Sequence, residues 1–107
     1  MARILLIKFE EATAQRLAAV FEVRRHRVRT YDGPFAPYES LEAEGQDLIV
    51  LDVSADDADV TKCLTELQRY RAAHGPRPMI LCASRVYRGP RFELDLEKRG
   101  ARLVYFT

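Results

Sequence analysis

Asp47-Leu48-Ile49-Val50-Leu51-Asp52-Val53 is the stretch of sequence that decides the fold. Its apolar residues form a continuous run with an acid at each end, and they do not alternate with polar residues. Such a run is typical of a strand covered by helices on both faces, because both sides of the strand are then buried. Arg3-Ile4-Leu5-Leu6-Ile7 shows the same pattern. We therefore expect two central strands of a parallel sheet.

Helical patterns alternate with further strands along the rest of the chain. Apolar residues recur at helical spacing from Glu11 to Val23 and from Val60 to a stop near His74-Gly75. Strands alternating with helices over 107 residues predict one α/β domain, residues 1–107, built on a single parallel sheet. The other predicted elements are an edge strand at 28–31, a short helix at 37–44 that ends at Gly45, a buried strand at 79–83, a helix around 92–96 and a last strand at 101–106.

Composition narrows the classes of function. The 17 Lys and Arg residues against 16 Asp and Glu leave a net charge of +1, so no global field attracts nucleic acid or an anionic membrane. The apolar runs are far shorter than the roughly 20 residues of a membrane span, and the N-terminus lacks the apolar segment of a signal peptide. A cytoplasmic protein is expected. Cys63 and Cys82 lie in apolar patterns and are expected to be buried, reduced thiols.

Binding sites in a sheet of this kind form beyond the carboxyl ends of the strands, where neighbouring loops converge. The predicted strands place six residues at that edge, and these are the candidate site: Lys8, Phe9, Glu10, Asp52, Ser84 and Thr107.

The pattern resembles the response-regulator receiver family over essentially the whole chain. The resemblance is carried by Ile4-Leu5-Leu6-Ile7 with a polar turn after it, by Asp47 to Asp52, by Pro78-Met79-Ile80-Leu81 and by Gly100-Ala101. It implies a flavodoxin-like, doubly wound sheet of five parallel strands in the order 2-1-3-4-5. It also implies that Asp52 stands where the family's aspartate accepts a phosphoryl group from a histidine kinase.

The turn after the first strand departs from the family's pattern. Receivers place two acids there, because Mg²⁺ needs carboxylate oxygens around the phosphoacceptor. This chain has Lys8 and Phe9 at those positions, and Glu10 follows one or two positions late. We therefore expect no bound metal, with Mg²⁺ possible only if Glu10 and Asp52 converge. Lys8 could compensate the charge of Asp52 instead; otherwise Lys8 points to solvent and Asp52 caps the next loop.

Three further departures lie near the other strand ends. The family's hydroxyl residue falls on Ala83, and Ser84 retains a hydroxyl only with a shift of one residue. The family's lysine falls about at Thr107, and the last helix is absent. In contrast, Asp59 matches the acid that opens the helix after the phosphoacceptor.

These matches and departures predict an atypical receiver domain in a phosphorelay or related pathway, which is not an enzyme and acts by binding a signalling protein or a histidine kinase. Two alternatives stay open. The first is a phosphoacceptor that remains active by using Glu10. The second is a small flavodoxin-like module that binds a nucleotide or another ligand, for which the arginine-rich loop of Arg85, Arg88 and Arg91 is the support.

The remaining charged features favour structural roles. The basic cluster from Arg24 to Arg29 follows a helix end, where cations stabilise the negative end of the dipole, and we do not expect it to bind nucleic acid. We expect His26 and His74 on the surface. The acids Asp56, Asp57 and Asp59 are expected to cap a helix and not to bind a cation.

A missing last helix has a consequence for assembly. Part of the strand at 103–106 and one flank of the first helix would be left exposed, and an uncovered apolar patch generally marks an interface. We therefore expect a homodimer, or a partner chain, over the fifth strand.

Overall fold

The computed structural model describes residues 1–31, 45–54, 58–75 and 78–106, with the backbone alone for Ala58, Asp59 and His74. Within those ranges the chain forms five strands and three helices: β1 Arg3–Ile7, α1 Glu11–Val23, β2 Arg27–Tyr31, β3 Leu48–Asp52, α2 Ala58–His74, β4 Met79–Ser84, α3 Pro90–Lys98 and β5 Ala101–Tyr105. The helix predicted at 37–44 and the site residue Thr107 lie outside the described residues.

The five strands form one sheet in the order β2-β1-β3-β4-β5, and every neighbouring pair is parallel. This confirms the predicted order. The register brings the carboxyl ends of neighbouring strands level, since Ile7 pairs with Leu51 and Asp52 pairs with Ala83. The loops that follow these strands therefore leave from the same edge of the sheet, where the candidate site lies.

One face of the sheet packs against α2 and α3, and the other packs against α1. Strand residues alternate between the two faces, as expected for a pleated sheet. The cluster under α2 and α3 contains Leu5, Ile7, Ile49, Leu51, Val53, Val60, Cys63, Leu64, Leu67, Tyr70, Ile80, Cys82, Leu96 and Ala101. The cluster on the α1 face is smaller and contains Ile4, Leu6, Phe9, Ala14, Val50 and Ala83.

Helix α3 resolves the ambiguous segment of the sequence. Phe92 and Leu96 face the core four residues apart, whereas Leu94 is exposed, so the helical interpretation of the spacing is correct. Pro90 stands in the first turn, where its missing N–H costs nothing, and Gly89 before it adopts a φ of 88°. Both residues fix where this helix begins.

The two cysteines are buried in the core under α2, as predicted, and neither forms a disulfide. Burial, together with the neighbouring Cys63, raises the pKa of Cys82 to about 12. The Cys82 thiol is therefore uncharged at neutral pH and packs as a small hydrophobic side chain. None of the helices described for this chain is long and apolar enough to cross a membrane.

Candidate functional site

The turn after β1 determines which side chain enters the site. Lys8 adopts a left-handed φ of 68°, a conformation that is uncommon for residues other than glycine, and its N–H donates to the Tyr31 carbonyl at 2.9 Å. Lys8 remains half-buried, and the residue after it, Phe9, is 6% exposed. The second position after the strand is therefore an apolar core position on the α1 face.

Phe9 forms an aromatic pair with Phe106, the residue that follows β5. The ring centroids are 5.9 Å apart and the ring planes are tilted by 49°, within the range of favourable aromatic contacts. Ala83 belongs to the same buried cluster as Phe9, and its small side chain takes up little of this face of the sheet. The carboxyl end of the α1 face is thus closed by two aromatic rings.

Arg85 covers this aromatic pair from the loop after β4. Its guanidinium carbon lies 5.4 Å from the centroid of Phe106, a cation–π distance. One guanidinium nitrogen donates to the Thr13 hydroxyl of α1, and the other lies 3.6 Å from a carboxylate oxygen of Glu10. Glu10 is largely exposed, so this ion pair contributes little stability by itself, but it turns the carboxylate towards Arg85.

Asp52 is the last residue of β3, at the centre of the edge. Its Oδ1 accepts a hydrogen bond from the Ser54 N–H at 2.8 Å, and the Ser54 hydroxyl accepts one from the Arg85 N–H at 2.9 Å. Within the described part of the chain, no ion pair joins Asp52 to Lys8. The idea that Lys8 replaces the metal therefore gains no support, and Asp52 instead caps the turn that follows its strand.

Ser84 is the last residue of β4 and is fully buried. Its hydroxyl donates to the Val86 carbonyl at 2.6 Å and accepts from the Val86 N–H at 3.1 Å. Both contacts hold the loop after β4 in place. The sequence interpretation placed this hydroxyl after the strand as a candidate site group, whereas the structure uses it to form a turn.

Acidic side chains do not assemble into a metal site in the ranges that the structure covers. No three His, Cys, Asp or Glu side chains come together there as metal ligands would. Asp56 and Asp57 lie outside the described residues, as does the side chain of Asp59. Because Glu10 is turned to Arg85, the pairing of Glu10 with Asp52 that Mg²⁺ would require gains no support from this arrangement.

The arginine-rich loop after β4 is tied to the protein itself. The Arg88 guanidinium carbon lies 4.0 Å from the ring centroid of Phe92, and a guanidinium nitrogen donates to the Val53 carbonyl. The Arg88 N–H donates to the Tyr105 hydroxyl at 3.2 Å, which in turn donates to Glu93 at 3.0 Å. Arg85 and Arg88, which supported a nucleotide-binding module, therefore serve to position this loop.

The basic cluster from Arg24 to Arg29 spans the turn after α1 and the first residues of the edge strand β2, and its arginines are exposed. The prediction that His26 lies at the surface holds only in part. His26 is half-buried, its Nδ1 accepts the Ala2 N–H at 3.0 Å, and its ring packs edge-on against Phe21 at 6.4 Å. The side chain of His74 is not among those described.

A second surface lies on the α1 face, on the side of β3, β4 and β5. We call it the open face, and it consists of Leu48, Met79, Leu81, Arg102 and Val104. Met79 is 65% exposed and Val104 is 43% exposed. The exposure expected for the fifth strand is confirmed, while Met79 was missed because the sequence interpretation assigned β4 only as a buried strand.

Comparisons with known proteins support the fold. No protein-family model and no curated protein matches the chain. Solved structures do match: the N-terminal domain of a response regulator receiver protein from Methanoculleus marisnigri JR1 has a TM-score of 0.81 at 16% identity, with 100% of this chain and 85% of that chain covered. The chemotaxis protein CheY4 of Vibrio cholerae has a TM-score of 0.76 at 16% identity, with coverage of 100% and 86%.

A third similar structure is a putative pilus assembly-related protein from Burkholderia pseudomallei. Its TM-score is 0.75 at 22% identity, and the match covers 99% of this chain and 78% of that chain. At such identities the comparison establishes a common fold.

Proposed function

We propose that this chain, which has the fold of response-regulator receiver domains, acts in signal transduction by binding another protein, with Mg²⁺-dependent phosphorylation of Asp52 impaired. One observation supports the proposal above the others. Phe9 is buried against Phe106 beneath Arg85, at a position where the receiver pattern has a metal-binding acid.

The chemistry of the replacement explains the impairment. Mg²⁺ requires oxygen ligands in near-octahedral geometry, and a phenyl ring offers none. Lys8, at the other acid position, adds a positive charge that repels a cation. Asp52 would then keep its place in the fold without the divalent ion that offsets charge during phosphoryl transfer.

The same arrangement favours a binding role over catalysis. The hydroxyl of Ser84 and the guanidinium groups of Arg85 and Arg88 make contacts within the chain that hold loops together. Groups engaged in this way stabilise one conformation of the strand-end edge. A fixed edge suits recognition by a signalling protein or a histidine kinase more than it suits turnover of a substrate.

A phosphorylation assay tests the proposal. The chain is incubated with acetyl phosphate and Mg²⁺, and its intact mass is measured beside that of a typical receiver domain in the same buffer. We expect the mass of this chain to stay unchanged while the control gains one phosphoryl group. A phosphoryl group on Asp52 would overturn the proposal. If the Glu10→Gln variant then failed to gain that group, Glu10 would be identified as a metal ligand.

A further inference from the structure

Positive charge is concentrated at the corner of the molecule where α1 ends and the edge strand β2 begins. This corner carries Arg24, Arg25, Arg27 and Arg29, which are all exposed, and we call these four residues the basic corner. The chain as a whole has a net charge of +1, so the concentration is a local feature. Glu22 is the acid within residues 22–29. The four arginines therefore leave a surplus of positive charge at this place.

The negative end of the α1 dipole does not account for the whole cluster. The last turn of α1 contains no basic residue, and Arg24 is the C-cap of the helix. Arg27 and Arg29 belong to β2, whereas the effect of a helix dipole is confined to the last turn. The expectation that the cluster serves a helix end therefore does not extend to these two arginines.

Strand β2 presents Arg27 and Arg29 on the same side of the sheet. Alternate residues of a strand share a face and lie about 6.6 Å apart at a rise of about 3.3 Å per residue. Val28, between them, packs against the cluster on the α1 face. Phosphates of one strand of a nucleic-acid duplex advance by about 3.4 Å each along the axis, or about 6.8 Å for two. The step between the two arginines therefore matches two phosphate steps.

The neighbouring strand adds a further arginine. Arg3 of β1 pairs in register with Arg27 of β2, and residues in register on parallel strands share a face of the sheet. Two cations placed in this way attract one anionic group together. A groove of 400 Å³ lies beside them, and its lining includes Arg3, Arg27 and Arg29, with Glu22 as the acid. An anionic chain that follows β2 would meet several arginines in succession.

Backbone hydrogen bonds hold the basic corner in place. The Arg25 N–H donates to the Glu22 carbonyl at 2.9 Å, and the Arg27 N–H donates to the Ala2 carbonyl at 2.9 Å. His26 lies between these arginines, and its Nδ1 accepts the Ala2 N–H at 3.0 Å. A backbone that is already fixed lowers the entropy lost when the arginine side chains bind a ligand.

The residue types at the basic corner favour phosphate as the anion. Arginine binds phosphate through two parallel hydrogen bonds from its planar guanidinium group. In the ranges that the structure covers, the exposed aromatic residues are Tyr87 and Tyr105, at the carboxyl end of the sheet, so stacking on unpaired bases is not favoured at this corner. Met1 and Val23 are exposed nearby, but protein interfaces and membrane anchors centre on larger apolar or aromatic clusters.

We propose that the basic corner binds the phosphodiester backbone of double-stranded nucleic acid without reading its sequence. Arg27 and Arg29 would contact phosphates along one strand, with Arg24 and Arg25 beside them. This inference goes beyond the proposed function, because it adds a binding surface at the end of the sheet opposite Asp52. It also replaces the sequence-based expectation that this cluster does not bind nucleic acid.

Fluorescence anisotropy with labelled duplexes tests this inference. The probes are two DNA duplexes of about 16 base pairs with unrelated sequences, and an RNA duplex of the same length. At about 50 mM NaCl we expect dissociation constants in the micromolar range that agree within about twofold for the two DNA sequences. Raising NaCl to about 200 mM should weaken binding by about a hundredfold, as expected for about four phosphate contacts. Comparison of DNA with RNA identifies which duplex fits better.

Variants connect binding to the basic corner. We expect Arg24→Gln and Arg27→Gln each to weaken binding by roughly tenfold at about 50 mM NaCl, and to lower the slope of log Kd against log salt by about 0.9. Arg27→Lys keeps the charge without the planar fork, and its affinity should be intermediate. The control Arg91→Gln makes the same change in net charge on α3 and should leave affinity and slope unchanged. Circular dichroism confirms that each variant is folded.

Three results would overturn the inference. The first is a folded chain that binds none of the duplexes at low salt. The second is an equal loss of affinity in Arg27→Gln and Arg91→Gln, which would assign binding to the overall charge of the chain. The third is tighter binding to a glutamate-rich peptide or to phosphatidylserine vesicles than to the duplexes, which would identify an acidic protein or a membrane as the partner. None of these measurements involves phosphorylation of Asp52, so failure here is distinguishable from failure of the proposed function.

Discussion

Phe9 and Phe106 lie with their ring centroids 5.9 Å apart at the carboxyl edge of the sheet, although 96 residues separate them in the chain. The contact joins the turn after β1 to the end of β5, and two other strands lie between those two in the sheet. An aromatic core contact thus occupies the region where receiver domains are expected to bind a metal. Phe9 therefore affects both the stability of this edge and the capacity of the edge to bind a metal.

Truncation of Phe9 should destabilise the whole fold. We expect Phe9→Ala to lower the free energy of unfolding by about 3–5 kcal/mol, because it removes a buried ring and leaves a cavity beside Phe106. Urea denaturation followed by circular dichroism measures the change. The control Leu94→Ala truncates an exposed apolar residue and should stay within about 0.5 kcal/mol of the original chain. Equal effects of both variants would mean that the ring pair does not stabilise the fold.

Arg85 should contribute mainly through its contact with Phe106 and not through its ion pair. We expect Arg85→Ala to lower the free energy of unfolding by roughly 1–2 kcal/mol, with the exposed Glu10 pair a small part of that. Because salt screens exposed charges, most of this loss should persist at high ionic strength. Arg91→Ala, which truncates an exposed arginine at the second position of α3, is the control. A loss that disappears in salt would contradict the interpretation.

Loss of the Ser84 hydroxyl should affect stability. Ser84→Ala removes both hydrogen bonds between this buried hydroxyl and the backbone of Val86, which is itself 54% exposed, and we expect a loss of about 1 kcal/mol in chemical denaturation. Thr65→Ala removes an exposed hydroxyl that bonds only within α2 and should have little effect. If Ser84→Ala were as stable as the original chain, the hydroxyl would not hold the turn.

Stability should decline in alkaline solution because of Cys82. Its pKa is about 12 in the folded chain and 9.0 in the unfolded reference, so unfolding releases a proton between those values. The contribution is complete below pH 9 and is lost as the pH rises towards 12, by up to about 1.4 kcal/mol per pH unit. Urea midpoints across this range should fall less steeply in Cys82→Ala. Identical slopes in the two proteins would contradict the assignment.

The sequence predicted the sheet well because its signals are local. Continuous apolar runs at 4–7 and 48–51 mark buried parallel strands, and the resemblance to receiver domains implied the strand order that the sheet has. The segment that contains Phe92, Leu94 and Leu96 was ambiguous, because two-residue and four-residue spacings overlap there. The structure shows that this segment is a helix, because Leu96 is buried against the sheet and Leu94 is exposed.

The candidate site was less predictable because it depends on contacts between distant residues. The sequence showed that Phe9 stands at a position where the receiver pattern has an acid. Its contact with Phe106, however, depends on how far β5 extends at the edge of the sheet. The position of Arg85 depends on the turn made by Ser84, and a loop turn of that kind has no periodic signal. The alternation of buried and exposed residues along β4 could have indicated that Met79 and Leu81 face the same side as Val104.

A Mg²⁺ titration tests directly whether this edge of the sheet binds the ion. It is followed through the backbone amide resonances of Lys8, Phe9, Asp52 and Ser54, with a typical receiver domain as the positive control and NaCl at matched ionic strength as the blank. We expect no saturable shift of these four resonances at millimolar Mg²⁺, because a buried aromatic ring and a lysine stand where two carboxylates are required. Saturable shifts at Lys8 and Phe9 and also at Asp52 and Ser54, seen with Mg²⁺ and not with NaCl, would contradict the proposal that this edge does not bind Mg²⁺.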